Sequence, residues 1–141
     1  MSIDGTLGWL DGTLTEQDGD ETAPRRLPPL QGRVAVRWQG DWKRLRVEGG
    51  VRFSAAQRRL AAEDERDLRI CGNADGTALL DDCDGTDGWT SVYLGAAMAP
   101  TEQMELRLRA ENLLDARYRV HGSGFEAPGL GVELGLGYRF D

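Results

Sequence analysis

The run from Leu130 to Phe140 constrains the fold more than any other stretch. Leu130, Val132, Leu134, Leu136, Tyr138 and Phe140 alternate strictly with Gly131, Glu133, Gly135, Gly137 and Arg139. That period of two places one set on each face of a β-strand. One face is apolar. The other is glycine and charge, suited to solvent or a wet lumen. About 11 residues is also the length of a tilted strand crossing a hydrocarbon layer.

The same pattern recurs upstream. Met104, Leu106, Leu108 and Ala110 interleave with Glu105, Arg107, Arg109 and Glu111. Thr90, Val92, Leu94, Ala96 and Met98 share one face of the segment before it. Val34, Val36 and Trp38 oppose Arg33, Ala35 and Arg37, and Leu45, Val47, Val51 and Phe53 oppose Arg44, Arg46, Glu48, Arg52 and Ser54. The apolar phase holds through Gly49 and Gly50, so no bulge is expected there. Between Gly5 and Thr15, Leu7, Trp9, Leu10 and Leu14 mark a first strand whose alternation Gly8 and Gly12 blur.

These runs predict six strands, near 5–15, 31–39, 42–58, 88–99, 102–119 and 129–140, in an all-β, antiparallel, up-and-down meander within one domain, 1–141. The connections are unequal. Gln39-Gly40-Asp41 and Ala99-Pro100-Thr101-Glu102 read as short turns, whereas the segment from Asp18 through Pro24, Pro28 and Pro29, the one from Arg58 to Gly88, and the one before Leu130 are long. Ala55 to Asp67 could be helical on propensity, but strand extension followed by loop is the favoured reading.

At this point the residues resemble a family. The string ENLLDARYRVHGSGFEAPG, Glu111 to Gly129, followed by LGVELGLGYRF, Leu130 to Phe140, is similar to the end of TonB-dependent outer-membrane receptors. There, a penultimate strand carrying an N-L-(F/L)-D-x-x-Y element leads through a loop to a terminal strand ending in phenylalanine. PRRLPPLQGRVAVRW, Pro24 to Trp38, is similar to a proline-rich loop and strand of the same receptors. The chain departs from that pattern in having Asp141 after Phe140, no plug domain and no TonB-box-bearing start. The resemblance implies part of a transmembrane β-barrel in the cell outer membrane, the C-terminal piece of a longer exported chain. The parent would take up a scarce nutrient such as a metal-siderophore complex or a vitamin. Its partners would be the outer membrane, the missing plug and N-terminal barrel strands, and TonB only through that missing part. Barrels of this kind have about 22 strands around a plugged lumen, so six cannot close one. Short periplasmic turns and long outer loops fit this placement, as do Trp38, Trp42, Tyr138 and Phe140 at the short-turn ends, where an aromatic girdle would lie.

Two other classes remain open. One is a small structural or adhesive outer-membrane protein whose copies pool their strands. The other is a soluble β-sheet ligand-binding module with the apolar faces turned inward, since alternation alone does not choose between inside-out and outside-in.

Composition excludes further classes. A formal charge of −7 over 141 residues, with arginines interleaved among glutamates, argues against a nucleic-acid partner. The N-terminus has no basic and apolar run marking a secretory signal. Abundant glycine, 19 residues, suits a barrel wall better than a tight core. An enzyme is the poorest explanation: the lone His121 supplies neither a multi-histidine metal site nor a supported triad, and no phosphate loop or nucleophile elbow appears. No cofactor or metal is therefore expected. The string DDCDGTDG does not match the EF-hand spacing and reads as a solvated acidic loop.

Two sets of residues stand out. Cys71 and Cys83 lie in a polar loop and read either as a disulfide formed in an oxidising compartment or as two unpaired thiols. Arg33, Arg37, Arg44, Arg46, Glu48, Arg52, Glu105, Arg107, Arg109, Glu111, Glu133 and Arg139 form charged ladders. They are expected to line the lumen, touching a plug domain or a passing ligand. Cross-strand ion pairs on a wet face are the alternative, each contributing less than about 1 kcal/mol when exposed.

Overall fold

A computed structural model describes residues 1–15 and 19–140. Its main feature is a six-stranded antiparallel sheet formed by β1 (Ser2–Gly8), β4 (Gln31–Gln39), β5 (Arg46–Ser54), β6 (Trp89–Met98), β7 (Met104–Glu111) and β8 (Gly131–Tyr138). Each strand pairs with its neighbour in that order, and the sheet is open, with β1 and β8 at its edges. A two-residue ribbon, β2 (Leu14–Thr15) with β3 (Glu21–Thr22), and one short helix, α1 (Leu68–Cys71), lie in the long connections. Among the described residues no helix is long and apolar enough to cross a membrane, which says nothing about strands.

The registers keep the two faces separate across the whole sheet. Ile3 opposes Val36, Val34 opposes Val51, Leu94 opposes Ala110, and Leu108 opposes Leu134. Paired residues in an antiparallel ladder lie on the same side, so one face is apolar from β1 to β8. That face is exposed: Val132, Leu134 and Leu136 retain 67%, 81% and 68% of their accessible surface. Burial is found instead at Ala35 and Tyr93 on the polar face, and at Ala23, Leu27, Ala61, Ile70 and Cys71 in the long connections. The pairing of β4 with β5 runs unbroken from Gln31–Ser54 to Gln39–Arg46, passing Gly49 and Gly50 without a bulge.

Several strand limits differ from expectation, each for a local reason. The first strand spans 2–8 rather than 5–15. Beyond it Asp11 accepts the Gly12 N–H, and Arg59 holds Asp11, the Gly12 carbonyl and the Thr13 hydroxyl, drawing the chain into the long connections. Leu14 and Thr15 then pair with β3 inside what reads from sequence as loop; Asp18 lies outside the described residues.

The third strand starts at Arg46, not at 42, because Trp42–Arg44 form a 3-10 turn in which Lys43 and Arg44 have φ of 47° and 52°. Left-handed backbone cannot continue a strand. The turn is closed by Gly40 N–H to Leu45 O at 2.9 Å and tied to the other short turn by Ala99 N–H to Lys43 O at 2.8 Å. The same strand ends at Ser54 rather than 58, and residues 55–67 are neither strand extension nor a continuous helix. Instead α1 begins at Leu68, capped by the Asp67 side chain, which accepts the Arg69 N–H.

The fifth strand stops at Glu111 instead of running to 119. Asn112 takes φ +52° and is almost fully buried; its side chain donates to the Ala116 and Pro128 carbonyls and accepts the Ala116 N–H. Asp115, also left-handed, accepts the Leu130 N–H at 2.9 Å. The Asn-Leu-Leu-Asp element is thus a turn that ends β7 and fixes where β8 begins.

Candidate functional site

The polar face of the sheet is organised around Tyr93. Its ring occupies the space left by Gly50, where a Cβ would collide with the phenol, and by the small Ala35 that pairs with Gly50. Its hydroxyl accepts from Arg33 Nε at 2.7 Å and donates to Glu48 Oε1 at 3.0 Å. The guanidinium carbons of Arg33, Arg52 and Arg109 lie 5.5, 4.8 and 5.9 Å from the ring centroid, within cation–π range. One buried phenol therefore links arginines from β4, β5 and β7.

The expected ladder residues assemble around it in three clusters. Glu48 binds Arg33 at 2.8 Å and also Arg37, and Arg37 reaches Asp4 at 3.0 Å. Glu105 binds Arg46 at 2.6 Å and Arg107 at 2.9 Å. Glu111 binds Arg52 at 3.4 Å and also Arg109. Glu133 shares this face, opposite Arg109 in the register, but has no ion pair with a described residue. Arg44 and Arg139 are not brought into the ladders: Arg44 sits in the short turn and Arg139 just past β8, with its N–H on the Gln103 carbonyl. Tyr93 was missed in the sequence reading. The available signal was its phase: it alternates with Val92 and Leu94 and so belongs with the charged side chains.

An open groove of about 920 Å³ crosses this face, walled by Arg37, Arg46, Glu48, Tyr93, Arg107 and Arg109. A second, of about 520 Å³, lies at the short-turn end beside Arg44, Glu102, Tyr138 and Arg139. Gln39, Arg46 and Glu105 border both, so the two are continuous. Chemically, the surface offers guanidinium donors and carboxylate acceptors in fixed positions. Among the described residues no group of three His, Cys, Asp or Glu side chains is placed to hold a metal ion.

At the opposite end the long connections form one interlocked cap. Cys71 and Cys83 are joined by a disulfide with Cα atoms 5.4 Å apart. Arg119 from the last loop donates to the carbonyls of Gly72 and Asn73 at 2.7 and 2.8 Å, just past α1. From the first loop, Arg26 donates its N–H to the fully buried Asp64 at 2.8 Å and its guanidinium to Asp67 at 2.9 Å. The Arg69 N–H and guanidinium, with Arg26, hold the Asp67 carboxyl well below the usual carboxylate range. His121 meets the Thr86 hydroxyl at 2.9 Å; burial pushes its imidazole below the ordinary histidine value, partly offset by Asp64. Arg58 occupies Asp84 and Asp87 of the acidic string. Trp89 stacks on Tyr118 with centroids 4.3 Å apart, where the cap meets the sheet.

The four aromatics expected at the short-turn ends are exposed there: Trp38, Trp42, Tyr138 and Phe140. Lys43 lies over Trp42 at 5.2 Å, and Tyr138 packs edge-on to Phe140 at 4.9 Å.

No protein-family model and no curated protein matches the chain. Among solved structures, it is similar to one titled copper transporter OprC, with a TM-score of 0.70 and 22% sequence identity. The match covers 98% of this chain and 20% of that one, so the chain spans about a fifth of the length of the transporter it matches. At that identity the likeness is one of fold: the chain adopts the fold of a piece of a transporter.

Proposed function

We propose that the chain is the C-terminal wall segment of a TonB-dependent receptor barrel in the cell outer membrane, whose parent imports a scarce nutrient such as a metal-siderophore complex or a vitamin. The observation that carries this reading is the inside-out sheet. A continuous apolar face is exposed from Ile3 to Leu136, while the polar face holds the buried Tyr93 and its arginines. Lipid satisfies the first face, and a wet lumen the second. A soluble module with its apolar faces turned inward would show the reverse exposure. The short turns and exposed aromatics at one end, with the capped loops at the other, agree with a periplasmic rim and an outward-facing cap. The likeness in fold to part of a copper transporter supports a transport role and adds copper to the cargoes to be tried. The plug and TonB would be reached only through parts of the parent outside this chain.

The test is growth. A strain lacking the gene is grown with one limiting nutrient at a time: a ferric siderophore, cobalamin or copper. Loss of growth on one of these, restored by the complete gene and accompanied by outer-membrane fractionation of its product, supports the proposal. Unimpaired growth on all of them, or recovery in the soluble fraction, contradicts it.

A further inference from the structure

The groove of about 520 Å³ at the short-turn end is lined from both sides of the sheet. Glu105 and Gly137 belong to the polar phase, Met104 and Tyr138 to the apolar one. The groove thus opens over the end of the sheet, where the apolar face stops. Its charges are of both signs. Glu105 is taken up by Arg46 and Arg107. Arg44, Arg139 and Glu102 are exposed, and none of them has an ion pair with a described residue, not even with one another. Backbone contacts fix where they stand. The Arg44 N–H donates to the Asp41 carbonyl at 3.2 Å, and the Ala99 N–H to the Lys43 carbonyl at 2.8 Å joins the two short turns. The Arg139 N–H donates to the Gln103 carbonyl at 2.9 Å, which sets Arg139 beside the turn that carries Glu102.

We infer that this groove seats the headgroup of a phospholipid bearing a primary amine, of the phosphatidylethanolamine class; this rests on the barrel-wall reading above. Arg44 and Arg139 donate to the phosphate, and Glu102 accepts from the ammonium. Two cations and one carboxylate that share a groove without pairing match a zwitterion, whose two charges satisfy both. A headgroup that is only anionic leaves Glu102 unpaired. A phosphocholine headgroup is zwitterionic, but its quaternary nitrogen has no N–H to donate, whereas a primary ammonium has three. Position selects a lipid over a free zwitterion. Leu106 and Leu136, exposed on the apolar face directly above Met104 and Tyr138, offer a path for the acyl chains. Trp42, Tyr138 and Phe140, exposed at the same end, mark the level at which headgroups lie.

The test is native mass spectrometry of the full chain folded in detergent micelles doped with equimolar phosphatidylethanolamine, phosphatidylglycerol and phosphatidylcholine of identical acyl chains. Phosphatidylethanolamine should be retained about 10-fold over either of the others. Glu102→Gln should erase the preference over phosphatidylglycerol. Arg44→Gln/Arg139→Gln should lower retention of phosphatidylethanolamine about 10-fold, and Arg44→Lys/Arg139→Lys should restore most of it. None of these changes removes an ion pair, so circular dichroism should be unaltered. Equal retention of the three lipids, a preference for phosphatidylglycerol, or glutamine variants that retain phosphatidylethanolamine as before would overturn the inference. Full displacement by soluble phosphoethanolamine at equal concentration would overturn it in favour of a small zwitterion. Chain that inserts into vesicles yet shows no lipid preference defeats this inference alone, whereas chain that never enters a membrane defeats the barrel-wall reading and the site with it.

Discussion

The Tyr93 hydroxyl stands between Arg33 and Glu48, accepting from the first at 2.7 Å and donating to the second at 3.0 Å. The phenol fills the gap over Gly50 and orders charges that would otherwise be independent surface pairs. Tyr93→Phe keeps the ring and removes both bonds. A hydrogen bond to a charged group contributes about 1.5–3 kcal/mol, and solvent access to this face reduces that, so a loss of about 1–2 kcal/mol is expected in urea unfolding of the folded chain. Gly50→Ala should also destabilise, by displacing the ring. Combined with Tyr93→Ala its effect should shrink but not vanish, because the phenol clash has gone while the β-carbon still meets the Val34 carbonyl at 2.7 Å. Additive losses in that pair would contradict the packing account.

Asn112 makes a second prediction. Its left-handed backbone and three side-chain hydrogen bonds end β7 and organise the approach to β8. Asn112→Ala loses the bonds and puts at positive φ a residue that tolerates left-handed backbone less well than asparagine, for an expected cost of about 2–4 kcal/mol. Asn112→Gly relieves the backbone term and should cost measurably less. Equal losses by equilibrium unfolding would mean that the backbone conformation contributes nothing.

Two groups in the cap give a pH dependence. His121 is depressed by burial, so the unfolded state binds its proton first; the stability it contributes is fully present above its ordinary value near 6.5 and is lost as pH falls through that value towards the folded one. Asp67 is depressed by Arg69 and Arg26, so its contribution is present above the ordinary aspartate value near 3.8 and declines as pH falls below it. Amide protection factors in the cap, corrected for the pH dependence of intrinsic exchange, should therefore fall in two stages on acidification, below about 6.5 and again below about 4. His121→Gln should abolish the first stage and leave the second.

The disulfide supplies a fourth test. Closing a loop of about 13 residues contributes roughly 3 kcal/mol in the chain-entropy account, and here it also steadies the Gly72 and Asn73 carbonyls that receive Arg119. Reduction should open the cap to trypsin at Arg66 and Arg69 while the sheet stays intact by circular dichroism. Unchanged cleavage after reduction would show that Arg119 and the ion pairs hold the cap without the bridge.

Much of the sheet was legible because alternation is local: the phase of Val34, Val36 and Trp38, or of Val132, Leu134 and Leu136, needs no knowledge of the partner strand. Strand ends were less legible. Arg44 and Asn112 leave the ladder through positive φ, which arginine adopts rarely and which no pattern of hydrophobicity announces. The charged residues were visible, but their grouping depends on the register, which alone brings Arg46 of β5 to Glu105 of β7 across Ala97. Tyr93 was hidden by its type, since an aromatic residue on a strand is ordinarily assigned to the apolar side. The cap was the least legible, because its contacts, Arg26 with Asp64 or Arg119 with Gly72, join residues far apart in sequence within segments that have no periodicity.

The central claim is that the face bearing Leu134 meets lipid and the face bearing Gly135 meets water. Leu134→Arg alone does not discriminate, because a charge there would cost about 2–4 kcal/mol in a bilayer midplane and would also disrupt a packed core. The direct measurement is quenching by brominated acyl chains in vesicles holding the folded chain, with Trp9, Trp38, Trp42 and Trp89 replaced by Phe and a single tryptophan placed at 134 or at 135. Tryptophan at 134 should be strongly quenched, with little loss of stability, and tryptophan at 135 should be spared by the lipid yet accessible to aqueous iodide. Quenching by iodide at 134 and by lipid at 135, or a loss of about 1–3 kcal/mol from Leu134→Trp as in an overpacked core, would contradict the account.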